Sequence, residues 1–329
     1  MKCMSPDIRV KVVGIGGAGL RLVDKLAATG FPASSFIAMD SDLEGLQLCQ
    51  IAERIQLGRR KLRGWSCNGD ATEGANCVRE GHSKVKKELR GVDLVIVVAG
   101  VGSGMGGGGA PVVAEIASES GALVLSVAIE PFNLEGKSDA SQLAIERLTH
   151  VSDTVVPISN QFVLEKTPAE SSVQESVGII NEHLLKAMMG IGRLIYPDEV
   201  EGVDAPKFCE FARGHHNYSF FSTTETTLIA RPREIVDALT CHPFLESKFK
   251  FSKSSGIMIN LLGEELYGKE KLDEIRRCLE DIAPKARIVI STNVEKSMDS
   301  KVEAVIMALS LSGQNIGDVK ETPSETPSR

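Results

Sequence analysis

A glycine-rich stretch between a hydrophobic run and a helical segment constrains this chain more than any other feature. Glycine occupies seven of the twelve positions from Gly100 to Pro111. Residues 94–98 precede it as an apolar run that predicts a buried strand, and residues 112–120 follow with a helical pattern. Glycine lets successive N–H groups turn toward an anion, because no Cβ stands in the way. The stretch therefore predicts a phosphate-binding loop between a strand and a helix.

A second glycine motif ends the first predicted strand. Residues 14–19 match G-x-G-x-x-G, and Asp40 ends the second predicted strand. Alone, this pattern is typical of a nicotinamide or flavin dehydrogenase, in which the acid holds a ribose. A dinucleotide fold has no use for the loop at residues 100–111, and the sequence lacks the Walker A pattern GxxxxGK[ST]. Two glycine loops at one sheet edge favour a run of phosphates held from both sides.

Strand-like and helix-like segments alternate through the first half of the chain. The alternation predicts a parallel sheet with helices on both faces, which is the α/β class. The expected strands are residues 8–13, 36–39, 55–57, 94–98, 123–129 and 154–158, and the expected helices are residues 20–29, 74–89 and 112–120. An apolar stripe with steps of three or four from Val173 to Ile195 predicts one long helix.

The sequence pattern of the second half predicts a smaller α+β domain with a mixed or antiparallel sheet. Strands are expected at residues 218–222, 228–230, 254–262, 286–292 and 302–311, and helices at residues 232–239 and 269–282. Residues 313–329 contain few apolar side chains, and their composition predicts a disordered tail.

Composition excludes several classes of protein. The formal charge of −7 and the pI near 5.5 argue against a nucleic-acid partner, because no overall positive field attracts phosphate. No apolar stretch is long enough to span a bilayer, so direct membrane insertion is not expected. The seven cysteines show no CxxC spacing, and the first residues do not read as a secretory signal. We therefore expect a cytoplasmic protein without a structural metal site.

The two loops and several other stretches resemble the tubulin/FtsZ family of GTP-binding cytoskeletal proteins, and FtsZ more than eukaryotic tubulin. GSGMGGG at residues 102–108 corresponds to the family signature GGGTGTG; FIAMDSDLEGL, IEPFNLEGK, HVSD, ISNQFVL and GIIN match elsewhere. The resemblance implies the tubulin/FtsZ fold: a Rossmann-like GTP-binding domain (residues 1–168), a central helix (169–196) and a smaller α+β domain (197–312).

The same resemblance implies a nucleotide site and its ligands, GTP or GDP with Mg²⁺ held mainly through phosphate oxygens and water. Its first loop would line the α- and β-phosphates: Gly16, Gly17, Ala18, Gly19 and, in place of an asparagine, Arg21. The loop near phosphates and ribose contributes Asp40 and Asp42, and the loop that senses the γ-phosphate contributes Cys67, Asn68, Gly69 and Asp70. The signature loop contributes Gly102, Ser103, Gly104, Met105, Gly106, Gly107 and Gly108. Ribose and guanine would meet Glu135, Asn160 and a pair at the start of the central helix, Asn181 and Glu182.

The chain departs from the family inside this site. Met105 and Gly107 stand where the family has threonines, so two hydroxyls to phosphate are lost while the backbone donors remain. After Glu135 the family carries an arginine over the nucleotide, whereas this chain offers Lys137. We expect Arg21 to replace part of that charge.

The largest departure concerns hydrolysis. In the family a loop N-x-D-x-x-D reaches the nucleotide of the next subunit and positions the attacking water. The ungapped match is GVDAPK, which keeps Asp204 but has Gly202 for the asparagine and Lys207 for the second acid. A shifted register that pairs Glu201 with Asp204 needs a gap. We therefore expect GTP binding with slow or absent hydrolysis.

Two functions follow from the resemblance. The first is an FtsZ-like protein that assembles head to tail into filaments for cell division or cell shape. The alternative is a non-polymerising GTP-binding regulator that associates with an FtsZ paralogue. A distant third function, which follows from the G-x-G-x-x-G pattern and not from the resemblance, is a Rossmann-type NAD(P) oxidoreductase. The C-terminal residues lack the apolar-basic peptide with which FtsZ proteins dock membrane tethers. Recruitment by such tethers is therefore not expected.

Overall fold

The computed structural model describes residues 8–31, 33, 35–136, 138–161, 173–195, 205–214, 217–227, 229–241, 251–264, 267–296, 298 and 300–310. The described strands pair in the order β3-β2-β1-β4-β5-β6-β7-β10-β8-β9. The first six strands run parallel to their neighbours. They are β1 (Val10–Ile15), β2 (Ser35–Asp40), β3 (Glu53–Gln56), β4 (Leu94–Gly100), β5 (Leu123–Glu130) and β6 (Thr154–Ser159).

Helices cover both faces of this parallel sheet. They are α1 (Gly16–Ala28), α2 (Leu43–Leu48), α3 (Ala71–Glu80), α4 (His82–Leu89), α5 (Ala110–Glu119) and α6 (Ser138–Val151), with a π-helix at Gly104–Gly109 and a 3₁₀ turn at Asn133–Glu135. Side chains of β1 alternate between the two faces: Val10 and Val12 pack with α1, and Val13 and Ile15 pack with α3 to α6. The parallel, Rossmann-like sheet expected from the alternating sequence pattern is confirmed.

A long central helix joins the two halves of the described chain. It is α7 (Val173–Ile195), which matches the predicted apolar stripe, and α8 (Ala205–Ala212) follows it. Leu184, Met188 and Ile191 of α7 are buried in the same core as strand β1 and residues Met258 and Met307 of the second half. A Cβ on Gly190 would lie 2.3 Å from Val305 Cγ2, so α7 lies directly against the C-terminal sheet.

The second half forms a mixed sheet, as expected. Its elements are β7 (Asn217–Thr227), α9 (Pro232–Thr240), a 3₁₀ turn at Phe251–Lys253, β8 (Ser254–Gly263), α10 (Lys269–Ile282), β9 (Arg287–Val294) and β10 (Lys301–Ser310). β10 lies antiparallel to β7 and β8, and β9 lies parallel to β8. β7 pairs in parallel with β6 through Thr154↔Asn217 and Val155↔Tyr218, and this pairing joins the strands of the two halves.

Three local predictions were wrong. The helix expected from residue 20 begins at Gly16, and the helical stretch 74–89 is two helices that meet at Gly81. Residues 229 and 230 lie in a turn rather than a strand, because β7 continues to Thr227 along β10 and completes the pairing there. The predicted tail, residues 313–329, lies outside the described residues. In the part of the chain that the structure covers, no helix is long and apolar enough to cross a membrane.

Candidate functional site

The two glycine loops meet at one edge of the parallel sheet. β1 and β4 are adjacent, with Gly14 opposite Val98 and Ile15 opposite Ala99. The chain leaves β1 toward β2 on one side, while β4 lies on the other, so the strand order reverses between them. Ligands of open α/β sheets bind at such a reversal, beyond the carboxyl ends of the strands. A Cβ on Gly16 would lie 3.1 Å from Gly106 N, which shows how closely the loops approach.

The first loop is the N-terminal turn of α1. Gly16 has φ +72°, a conformation that L side chains rarely adopt, and it lets the helix begin directly at the strand end. Gly19 lies against strand β4, where a Cβ would come 2.3 Å from Val98 O. No side chain caps this helix and its first turn holds no acid. The free N–H groups and the helix dipole therefore favour an anion here.

The second loop is organised by Ser103. Its hydroxyl donates to Gly100 O at 2.9 Å and accepts from Gly106 N at 3.0 Å, and its carbonyl accepts from Gly107 N at 2.7 Å. Two amides expected to meet phosphate are thus bonded within the loop. Gly104 and Met105 lie at the start of the π-helix, where no preceding turn supplies an acceptor. Their amides are the donors of this loop best placed for an anion.

Close packing requires glycine at Gly108, which is expected to meet phosphate, and at Gly74 of α3. A Cβ on Gly108 would lie 1.7 Å from Ala71 O, and one on Gly74 would lie 1.9 Å from Gly104 O. These contacts bring α3 and the π-helix together without side chains between them. Part of the glycine signature is therefore a requirement of helix packing, and the phosphate contacts assigned to Gly106, Gly107 and Gly108 stay predictions.

The loop before α3 is a tight, internally bonded turn. Asn68 and Gly69 have φ of +46° and +84°, and Asp70 caps α3 by accepting from Thr72 N at 2.8 Å and Glu73 N at 3.1 Å. Cys67 is buried against the start of the π-helix, where a Cβ on Gly104 would lie 2.6 Å from Cys67 Cβ. A conformational change in the loop before α3 would therefore displace the signature loop as well.

Two acids at the carboxyl end of β2, Asp40 and Asp42, make hydrogen bonds within the protein. Asp40 is buried and accepts from Ser41 N at 2.7 Å and Asp42 N at 3.2 Å; burial is the main cause that raises its pKa. Asp42 caps α2 by accepting from Glu44 N at 3.1 Å. Asp40 thus shapes the backbone beside the site, and its carboxylate is not presented as the ribose ligand of the dehydrogenase pattern.

Residues expected near ribose and guanine lie beyond β5 and β6. Glu135 accepts from Phe132 N at 3.2 Å, and the same turn borders a cavity of about 200 Å³ that also holds Glu130 and Asp139, two acids that the sequence analysis overlooked. Asn160 Oδ1 is buried and accepts no hydrogen bond within the described chain. A buried acceptor without a donor is costly, so a ligand N–H would complete it.

The remaining base-contacting candidates are on the central helix. Asn181 is half-buried and Glu182 is exposed, and both lie more than two turns after the first residue of α7. They are therefore inside the helix rather than at its start, where the resemblance had placed them.

Of the expected hydrolysis loop, residues 202–207, the structure describes the last three. Asp204 lies outside the described residues, and Lys207 is an exposed residue in the first turn of α8. The chain after α8 is fastened by Asp153, which accepts from Gly214 N at 2.7 Å and from Val124 N at 2.8 Å. Val124 is near the amino end of β5. Lys207 is on the helix that precedes Gly214 and therefore lies toward the amino edge of the sheet, away from its own chain's glycine loops.

Comparison with known proteins agrees with this architecture. Residues 9–167 match the model of the Tubulin/FtsZ family, GTPase domain. The cell division protein FtsZ 1 of Pyrococcus furiosus is 27% identical over 321 residues, covering 97% of this chain and 85% of that protein. The protein of the same name from Pyrococcus abyssi is 27% identical over 317 residues, covering 96% and 84%.

Solved structures show the same fold over nearly the whole chain. An FtsZ dimer of M. jannaschii superposes with a TM-score of 0.84 at 25% identity, covering 92% of this chain and 88% of that one. CetZ2 from Haloferax volcanii, solved as a GTPγS-bound protofilament, superposes with a TM-score of 0.77 at 20% identity, covering 92% of each chain. By its strand order, its two glycine loops and these matches, the chain is a divergent FtsZ-like protein whose residues 9–167 match the Tubulin/FtsZ GTPase domain.

Proposed function

We propose that this chain is a GTP-binding cytoskeletal protein that takes GTP or GDP at the two facing glycine loops. The observation that carries the proposal is the meeting of α1 and the signature loop where the strand order reverses between β1 and β4. The free amides of the first turn of α1 and of Gly104 and Met105 suit a polyphosphate. Mg²⁺ would bind mainly through phosphate oxygens and water.

We further propose that subunits assemble head to tail in the cytoplasm, with residues 1–168 as the nucleotide domain and residues 197–312 as the domain that meets the next nucleotide. The support is geometric: Lys207 is on the helix whose following residue Gly214 is held at the amino edge of the sheet, and the glycine loops lie at the carboxyl edge. Only a second subunit can bring position 207 to the phosphates. The M. jannaschii dimer and the CetZ2 protofilament are assemblies of proteins with this fold.

Hydrolysis by this assembly is proposed to be slow. Lys207 replaces a carboxylate that would orient the attacking water, and Gly202 replaces an amide beside it. An ammonium attracts the bound triphosphate, but it does not position a nucleophile. The expected result is a filament that keeps its GTP.

The test joins three measurements on one preparation. The single tryptophan, Trp65, is 77% exposed in the loop before α3, and its emission is followed as GTP or GDP is added. Phosphate release is then measured with GTP at high protein concentration, and the same sample is sedimented with GTP, with GDP and without nucleotide. Titration with NADH is the control that would reveal a dehydrogenase.

Lys207→Asp and Lys207→Ala separate the two effects of the lysine. We expect phosphate release to rise in Lys207→Asp, because a water-orienting carboxylate is restored, and to stay low in Lys207→Ala. Rapid turnover by the wild-type protein would contradict slow hydrolysis. GTP binding without sedimentation under any nucleotide condition would contradict assembly and favour a non-polymerising regulator.

A further inference from the structure

Arg21 folds back over the first turn of its own helix. It is exposed on α1, four residues after Gly17, and helical side chains point toward the N-terminus of their helix. A Cβ built on Gly17 would lie 3.5 Å from Arg21 Nη1. The guanidinium therefore lies over the first turn of α1 beside Gly17, which directly follows Gly16, the residue at which the two glycine loops approach each other.

This position is electrostatically unfavourable in a protein without ligand. The N-terminus of a helix is its positive end, and cations are stabilised at the other end. The first turn of α1 contains no acid to balance the guanidinium. Asp24, one turn after Arg21, accepts from Gln50 N at 2.7 Å and from Cys49 Sγ at 3.4 Å. An anion placed between the guanidinium and the helix amides would remove the conflict.

We propose that Arg21 is a phosphate-binding residue that determines how strongly the site prefers guanosine di- and triphosphates over the nucleoside. The inference rests on the proposed nucleotide site and adds to it a cation supplied from within α1. The phosphates nearest the first turn of α1 receive both the helix amides and the guanidinium, whose fork can donate two parallel hydrogen bonds. The asparagine of the family could donate there but carries no charge.

The test compares Arg21→Gln with Lys25→Gln on the same helix. Both residues are exposed and both substitutions remove one positive charge, but Lys25 lies in the last turn, away from the loops. Dissociation constants are measured by calorimetry for GTP, GDP and guanosine. In Arg21→Gln we expect GTP and GDP to bind about 10- to 100-fold more weakly, as for loss of a charge-assisted bond, with guanosine affinity unchanged. Lys25→Gln is expected to match the wild type within about twofold.

The melting temperature without nucleotide provides a readout that a purely structural role would not give. Removing the unfavourable cation should leave nucleotide-free Arg21→Gln as stable as the wild type or about 1 °C more stable, while the rise in melting temperature on adding GDP shrinks. Equal loss of affinity for guanosine and GDP, unchanged GDP affinity, or a lower melting temperature without nucleotide would each overturn the inference and leave the proposed function intact. If the wild-type protein bound neither GTP nor GDP, both would be overturned.

Discussion

Two buried oxygen atoms without hydrogen-bond partners in the described chain lie in different surroundings, one beside the candidate site and one in the core of the C-terminal half. Asn160 Oδ1 lies just after β6 at the sheet edge that carries the glycine loops, where a guanine N–H could complete it. Tyr267 Oη lies in the core of the C-terminal half, packed with α9 and α10. Burial raises the pKa of Tyr267 to about 12. The first oxygen is a candidate ligand contact, and the second is a defect of packing.

Tyr267→Phe should therefore stabilise the protein. The substitution removes a buried hydroxyl that gains no hydrogen bond within the described chain, while the ring keeps its contact with Lys271 Nζ, 5.6 Å from the centroid. We expect the free energy of unfolding to rise by about 1 kcal/mol, measured by urea denaturation at pH 7. A loss of stability would show that the hydroxyl is bonded after all.

The same tyrosine makes stability sensitive to alkaline pH. Its pKa in the folded protein, about 12, lies above the value near 10 of an exposed tyrosine. Below pH 10 the hydroxyl keeps its proton in both the folded and the unfolded state, so this residue adds no pH dependence to the free energy of unfolding. Between pH 10 and 12 the unfolded chain ionises first, so the free energy of unfolding falls by about 1.4 kcal/mol per pH unit. The difference between wild-type and Tyr267→Phe denaturation curves should show this slope, and parallel pH profiles would contradict it.

At the scale of elements, glycine has opposite roles in the π-helix and the central helix. Gly108→Ala would place a Cβ 1.7 Å from Ala71 O, whereas a Cβ on Gly178 in α7 meets nothing within 4 Å. We expect Gly108→Ala to destabilise the protein by about 3 kcal/mol and Gly178→Ala to stabilise it by up to about 1 kcal/mol. Thermal denaturation of the two variants beside the wild type measures both. Similar shifts in both would refute close packing of α3 on the π-helix.

Elements with a strong period could be predicted, and elements fixed by contacts could not. The bounds of α7 and α10 follow from stripes of apolar residues, and the two loops follow from their glycines. The start of α1 at Gly16 and the split at Gly81 were missed, because glycine is a poor helix former and these positions are set by packing, of α1 on β4 and of Gly81 on Leu57. One sequence feature could have indicated the early start of α1: small residues without proline directly follow the strand.

The site itself was predictable only where residues act through the backbone. The glycines predicted the two loops. The hydrogen bonds of Ser103 within the second loop, and the bond from Gly214 to Asp153 after α8, were not predicted. Asp153 joins Val124 and Gly214, which are 29 and 61 positions away. No local pattern encodes such a contact. The roles assigned to individual nucleotide-binding residues stay predictions.

At the scale of the whole molecule, the halves are joined by an ion pair as well as by packing. Arg193 of α7 donates to Glu303 of β10 at 2.6 Å and 3.3 Å, and the side chains are only 17% and 18% exposed. Glu303→Gln leaves the guanidinium without its counter-charge, and we expect a loss of about 2 kcal/mol. Asp237→Asn, at the exposed pair with Arg233, should cost less than about 0.5 kcal/mol. Equal effects in urea denaturation would show that the buried pair adds nothing.

Head-to-tail assembly predicts that two inactive subunits can form one active site between them. Gly17→Glu places a carboxylate among the phosphate-binding amides; Gly17 is exposed and its Cβ position meets only Arg21, so the chain can still fold. Combined with Lys207→Asp, it gives a subunit that binds no nucleotide but carries the restored acid. The wild-type subunit binds GTP but lacks that acid.

Phosphate release from the mixture is the decisive measurement. Each preparation alone should release phosphate slowly, whereas an equimolar mixture should release it several-fold faster, because the acid of the double variant reaches the nucleotide of its wild-type neighbour. Gly17→Glu alone, mixed with the wild type, is the matched control and should give no gain. If the mixture only averages its components while Lys207→Asp alone is active, position 207 acts within its own chain, and the placement of α8 at the far edge of the sheet is wrong.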